Sequence, residues 1–400
     1  MVADRGVTRE HRVIAVSGKA IRALSGVALA VVCAAAAGGP ATAHGAGRSA
    51  LQRDADAIRD AGATGVQVRD GHGRVATSGV ADLETGRPVS PHGYFRIGST
   101  NKTLVATVVL QLVSEQKLTL DDPVETWLPG LIRGNGNDGR NITVRHLLQH
   151  TSGISDANWP AMDTEEQYLA LRYTARTPEE TVALAMAAEP ESAPGAEWHY
   201  SNTGYVVLGL LIERVTGNAW HEEVDARVLG PAGMHHTVWP GDSPGLPRPH
   251  AEGYTRFAEG GPLVNTTELI DADASGGYLS TTADLNRFLR ALFDGTLLDD
   301  AGLAAMRQTM PMDDEVTQLW PDARYGLGIF SRSLPCGGRV WIPSGDQLGY
   351  STRTAVTEDG RRSVVVSVTT QQHDSFDSAL AQERAVTRLI DNALCGDTGD

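Results

Sequence analysis

Four hundred residues at 41% hydrophobic and 21% charged make an ordinary globular composition, long enough for a large core and two lobes, which excludes a disordered or fibrous chain. A formal net charge of −15 excludes nucleic acid as a partner.

In chain order, Arg5, Arg9, Arg12, Lys19 and Arg22 come first, followed by an apolar run from Ala23 to Ala37 and the small residues Ala41-Thr42-Ala43. This predicts a secretory signal peptide over residues 1–43. The run of about fifteen residues is shorter than the roughly 20 a membrane span needs, so the mature protein is expected to be secreted with no stable membrane span. Cleavage removes five basic and two acidic groups, leaving a net charge of −18. It also removes Cys33 and leaves Cys336 and Cys395, an even pair that in an exported protein reads as one disulfide, the alternative being two separate buried thiols.

Residues 51 to 61 read as a short helix, and Val66, Val68 and Val75 about the Gly71-His72-Gly73 turn as a hairpin. Leu104, Val105, Val108, Val109 and Leu112 recur at helical spacing, so a helix runs from Ser99 to about Glu115, with Ser99 at its N-terminus and residues 99 and 102 on one face. Further helical patterns cover Leu118 to Trp127, Thr143 to His150, Thr164 to Tyr173, Pro178 to Ala188, Tyr205 to Thr216 and Thr282 to Phe293, with Asp284 read as a helix cap. β-like runs follow at Tyr325 to Arg332, Arg339 to Ile342, Ser351 to Val356 and Ser363 to Thr369, and a last helix near Ser378 to Leu394. This order predicts an α/β (α+β) fold: an antiparallel sheet from both chain ends, flanked by helices, plus an all-helical lobe. The domain would span 44–400, with the sheet lobe at about 50–98 and 275–400 and the helical lobe at about 99–274.

Chemistry concentrates at Ser99-Thr100-Asn101-Lys102. The chain has three lysines, Lys19, Lys102 and Lys117, against many arginines. Arginine stays protonated, whereas a desolvated lysine can lose its proton and activate a serine. About one hundred residues on, His199-Tyr200-Ser201-Asn202-Thr203-Gly204 sits where a loop enters a helix. A tyrosine beside an ammonium would be pushed towards phenolate and could move the serine proton, while Asn202 could hold both the lysine and a substrate amide. The histidines lack metal-ligand spacing, and neither a metal nor an organic cofactor is expected.

The blocks Phe95-Arg96-Ile97-Gly98-Ser99-Thr100-Asn101-Lys102, Leu112 to Leu120, Leu147-Leu148-Gln149-His150-Thr151-Ser152-Gly153 and Tyr200 to Gly204 resemble the class C serine β-lactamase and DD-peptidase family, nearest to secreted actinomycete D-alanyl-D-alanine carboxypeptidases. The resemblance runs from about residue 50 to the C-terminus and includes the positions of Cys336 and Cys395. It implies that Ser99 forms an acyl-enzyme, that Lys102 and Tyr200 move the proton, and that Asn202 orients the substrate. The oxyanion hole would be the backbone N–H groups of Ser99 and Asp346, and His150 to Gly153 would be a structural loop.

The third family motif, a basic residue, then Thr or Ser, then Gly, aligns with Pro343-Ser344-Gly345, followed by Asp346. Ser344 and Gly345 keep a hydroxyl and an unhindered strand, so Ser344, Gly345 and Asp346 join Asn202 as expected substrate-binding residues. Pro343 supplies no cation for a substrate carboxylate, and Asp346, with Asp271 and Asp273 near the same cleft, opposes one. Arg332 is a replacement cation unless strand alternation turns it to solvent. The resemblance implies a D-alanyl-D-alanine carboxypeptidase acting on peptidoglycan peptides or a small-molecule substrate, acylated by β-lactams as covalent ligands, and a monomer. The alternatives are an esterase or amidase of the same fold with a non-carboxylate substrate, and a weakly active penicillin-binding-like protein.

Overall fold

A computed structural model describes residues 49–396. The signal peptide expected over 1–43 lies outside them. No described helix is long and apolar enough to cross a membrane.

Among the described residues the main sheet has nine strands. Its order is Val75–Gly79, Gly65–Asp70, Ser363–Val368, Tyr350–Thr357, Arg339–Ile342, Phe330–Ser333, Arg324–Tyr325 and Met310–Pro311, with Ser344–Gln347 paired to Tyr350–Thr357. Every pairing in it is antiparallel, and the first hairpin lies beside a strand from the other chain end. The central strands are buried along their length because helices cover both faces. Val364, Val366 and Val368 pack with Leu389 and Ile390 of the C-terminal helix Phe376–Cys395, while Val365 joins Phe288, Leu289 and Leu292 of the helix Thr282–Phe293. Cys336 and Cys395 are bonded, pinning the end of the C-terminal helix to the turn before Arg339.

Helix Asn101–Ser114 is buried nearly all round, as its short polar side chains and β-branched residues allow. It packs on the helix Asn202–Thr216, which in turn carries the helices Val144–Leu148 and Pro178–Met186. The pattern from Leu118 to Trp127 yields a helix only at Val124–Trp127, because Pro123 starts it and the preceding residues form turns. The stretch 99–274 is not helical throughout: Arg133–Gly134 pairs with Asn137–Asp138, and Tyr254–Arg256 joins Leu263–Asn265 and Thr370–Gln372 in a small sheet. Asp284 is not the cap of its helix. Thr281 is, and Asp284 turns inward to accept from His236 N at 2.6 Å and Thr237 Oγ1 at 3.1 Å.

Candidate active site

The strand Phe95–Arg96 leads through Gly98, at φ +48, into a 3-10 turn, Gly98–Thr100, that holds Ser99 ahead of helix Asn101–Ser114. A Cβ on Gly98 would lie 2.6 Å from Asp346 O, and one on Gly345 would lie 2.0 Å from Ile97 O and 2.5 Å from Ser99 N. The two glycines thus let the strand Ser344–Gln347 lie flush against the Ser99 turn. Val340 faces Thr357 and Ser344 faces Arg353, so the register runs unbroken through Pro343. Thr354 N donates to Pro343 O at 3.2 Å, which sets the phase of the ladder. Hydrogen-bonded positions alternate, so Gly345 and Gln347 face the neighbouring strand, while Ser344 and Asp346 turn their N–H groups towards Ser99. The N–H groups of Ser99 and Asp346 are therefore neighbours on one edge, able to receive an oxyanion.

Lys102, 1% exposed, donates from Nζ to Ser99 Oγ at 3.0 Å, Asn202 Oδ1 at 2.8 Å and Ser275 O at 2.8 Å. Tyr200 donates its hydroxyl to Ser99 Oγ at 2.5 Å. Ser99, Lys102, Tyr200 and Asn202 thus meet in one cluster, from segments about one hundred residues apart. Burial pulls the Lys102 ammonium down to about 7, against the pull of Asp273, Asp156 and Asp271. With Lys102 neutral, the 3.0 Å contact lets Ser99 give its proton to Nζ.

The phenolate expected at Tyr200 is not favoured. Burial, followed by Tyr325, raises its phenol well above the ordinary range. Nζ of Lys102 sits 4.8 Å from the centroid of the Tyr200 ring, over its face, and its hydrogen bonds go elsewhere. Tyr200 is a proton donor here, and Lys102 is the group poised near neutrality.

His150, at the turn of the block Leu147 to Gly153, accepts from Ser201 N at Nδ1 over 3.1 Å. Its Nε2 must then carry the proton shared with Tyr325 Oη at 3.1 Å. Burial and Lys102 hold the imidazole well below its usual range, and its ring lies 4.3 Å from that of Tyr200. It is a neutral wedge behind Tyr200.

Two residues were missed in the sequence. Asp156 accepts from Ser201 Oγ at 3.0 Å, Asn202 N at 2.5 Å and Thr203 Oγ1 at 2.7 Å, tying down the N-terminus of the helix that carries Asn202. Arg353, buried at 4% exposure, holds both oxygens of Asp346, Nη1 at 2.9 Å and Nη2 at 3.0 Å, and is itself held by Glu383 through Nε at 3.0 Å. Asp346 is therefore not a free negative charge. Nothing local in the sequence marks either residue.

Arg332 is not the replacement cation and does not point to solvent. It is buried, and its Nη2 lies 2.8 Å from Asp391 Oδ1 on the C-terminal helix. Asp271 and Asp273 do line the cleft, which has a volume of about 400 Å³. Burial, followed by Asp273, raises Asp271 to about 6, opposed by Gln347, Arg96 and Lys102.

A family model described as Beta-lactamase matches residues 35–388. Penicillin-binding protein 4* of Bacillus subtilis is 26% identical over 334 residues, covering 80% of this chain and 69% of its own length. Esterase EstB of Burkholderia gladioli is 36% identical over 174 residues, covering 41% of this chain and 43% of its own. Among solved structures, a D-stereospecific amidohydrolase from Streptomyces sp. superposes with a TM-score of 0.77 at 36% identity, covering 87% of this chain and 98% of that one.

Proposed function

Because the chain belongs to the β-lactamase family of serine hydrolases, we propose that it is an exported amidohydrolase, with Ser99 acylated by an amide or ester whose acyl part carries a free amine. The observation that carries this reading is the charge layout of the cleft. Asp271 and Asp273 line it, while the motif position where relatives have a cation is Pro343. The other cleft-lining basic residues besides Lys102 are Arg176 and His373. Arg176 follows the segment whose Arg172 carbonyl accepts from Ile270 N, next to Asp271, and burial holds His373 below its usual range. A cationic amine suits this field and a departing carboxylate does not. The likeness to a D-stereospecific amidohydrolase supports the same reading and suggests D-configured acyl groups.

Ser99 gives its proton to neutral Lys102 as Oγ bonds to the carbonyl carbon, and the oxyanion accepts from the N–H groups of Ser99 and Asp346. The carbon–nitrogen bond then breaks, the leaving nitrogen takes a proton from Tyr200, and the proton that Lys102 gained replaces it, so both groups return to their starting states. Water attacks the acyl-enzyme as Lys102 takes its proton, the carbon–Oγ bond breaks, Lys102 returns that proton to Ser99 Oγ, and the acid leaves. The Cys336–Cys395 disulfide suits the oxidising compartment that export provides.

The test is turnover of D-phenylalanine amide against a peptide ending in D-alanyl-D-alanine, with mass spectrometry of the acylated residue using a labelled penicillin. Amide turnover that exceeds peptide turnover, with acylation lost in Ser99→Ala, is the expected result. Faster release of D-alanine from the peptide would establish the carboxypeptidase instead, and acylation by no electrophile would make the protein a binder.

A further inference from the structure

Tyr200 divides the cleft. Its hydroxyl, 2.5 Å from Ser99 Oγ, is the proton donor nearest the reacting serine, so the leaving atom stands on the Tyr200 side. Asn202, Asp271 and Asp273 line the same cleft, and the amidohydrolase reading gives them the acyl side. Tyr200 itself packs against the apolar cluster that contains Trp198, Met312, Trp320, Phe330 and Ile342. Those five side chains also line the cleft, next to Pro343.

This wall is built by the sheet. Phe330 and Ile342 are cross-strand partners and so share a face. Trp320 packs on Phe330 with ring centroids 5.0 Å apart, and the Arg353 guanidinium lies 5.9 Å from the centroid of the Trp320 ring. Arg353 is fully engaged by Asp346 and Glu383, so it offers no free positive charge to a ligand, and it occupies both oxygens of Asp346. The nearest charges thus cancel one another behind an aromatic surface.

The geometry points to an apolar leaving-group subsite, formed by Trp320, Phe330, Ile342 and Pro343, that takes an uncharged aryl or alkyl amine or alcohol. It rests on the amidohydrolase reading and sharpens it: the acyl part enters by its amine on the acidic side, and the departing part is recognised by apolar contact alone. A departing amino acid would leave a carboxylate facing apolar side chains with no cation to meet it.

The experiment holds the acyl group constant as D-phenylalanyl and varies the leaving group among ammonia, benzylamine and D-alanine. The expected order of kcat/KM is benzylamide above primary amide by about 10-fold, since burying a few methylene-sized groups is worth at least that, with the D-alanyl compound lowest. Phe330→Ala should bring the benzylamide-to-amide ratio to about one, and Phe330→Arg should raise the D-alanyl compound relative to the benzylamide. A wild-type ratio of one or less, or a ratio unmoved in both variants, overturns the subsite. If amides are not turned over, the amidase reading fails by itself, and the subsite is read from benzyl against methyl esters and, without turnover, from saturation-transfer NMR of benzyl alcohol against D-alanine. Preference for the methyl ester, or contact with D-alanine and none with benzyl alcohol, also overturns it.

Discussion

Lys102→Met separates the proton chemistry of the site from its packing. The Lys102 ammonium falls from 10.5 to about 7 on burial, and at about 1.36 kcal/mol per unit that is roughly 5 kcal/mol between the charged and neutral limits. The sign follows from proton counts. Between about pH 7 and 10.5 the unfolded chain keeps the lysine proton and the native protein gives it up, so unfolding takes up a proton and stability rises with pH. Integrated from pH 6 to pH 9, wild type gains about 2.5 kcal/mol that Lys102→Met does not. Asp271, raised to about 6, is present in both proteins and cancels to first order. Urea unfolding of wild type and Lys102→Met at the two pH values measures the difference directly. The same ionisation should appear in turnover as an acid limb near pH 7 in kcat/KM, with the site titrating as a coupled cluster. A stability difference between the two proteins that stays constant within about 1 kcal/mol, or a limb near 10, would refute a neutral lysine base.

Three further substitutions test the architecture around it. Gly345→Ala must push the strand Ser344–Gln347 off the Ser99 turn, because its Cβ would lie 2.0 Å from Ile97 O. Loss of one oxyanion donor alone costs about 10²–10³ in kcat, so acylation should fall at least that far, as stopped-flow labelling would show. Arg353→Met leaves Asp346 unpaired, and because that carboxylate is 25% exposed the loss should be about 2–3 kcal/mol, below the full cost for a buried pair. Glu383 loses the same partner, so adding Asp346→Asn with Glu383→Gln should recover most of it in denaturant titrations, and no recovery would mean that Arg353 acts through packing. Cys336→Ser opens a loop whose ends are 59 residues apart. That should cost about 2–4 kcal/mol in chemical unfolding while Ser99 remains acylated, since the disulfide lies away from the cleft.

The part of this site that follows from a local period was legible in the chain. Ser99 and Lys102 meet because residues three apart share a helix face, and the same spacing holds whatever surrounds the helix. Tyr200 and Asn202 were legible as residue types in ordered blocks, and their meeting with Lys102 needed only the fold those blocks imply. Ionisation was a different matter. The phenolate assignment set one ammonium against one phenol, but the buried surroundings that raise Tyr200 and lower Lys102 come from Tyr325, His150 and the strands behind them, far apart in sequence. The two arginines fail for a related reason. Alternation tells an inward from an outward side chain only where one face of a sheet meets water, and here helices cover both faces. Arg332 therefore read as a cation for the cleft and Arg353 went unread, whereas Asp391 holds the first and Asp346 with Glu383 the second. Asp346 shows the consequence for function. Its identity and its place beside Ser99 were readable, yet the field it exerts depends on an arginine seven residues on and a glutamate thirty residues beyond that. On the proposed reading, the attack itself rests on a locally spaced pair, Ser99 and Lys102, while the choice of acyl and leaving groups rests on residues brought in from far along the chain. Substitutions at Phe330 should therefore move leaving-group preference, while those at Ser99 and Lys102 move the rate for every substrate.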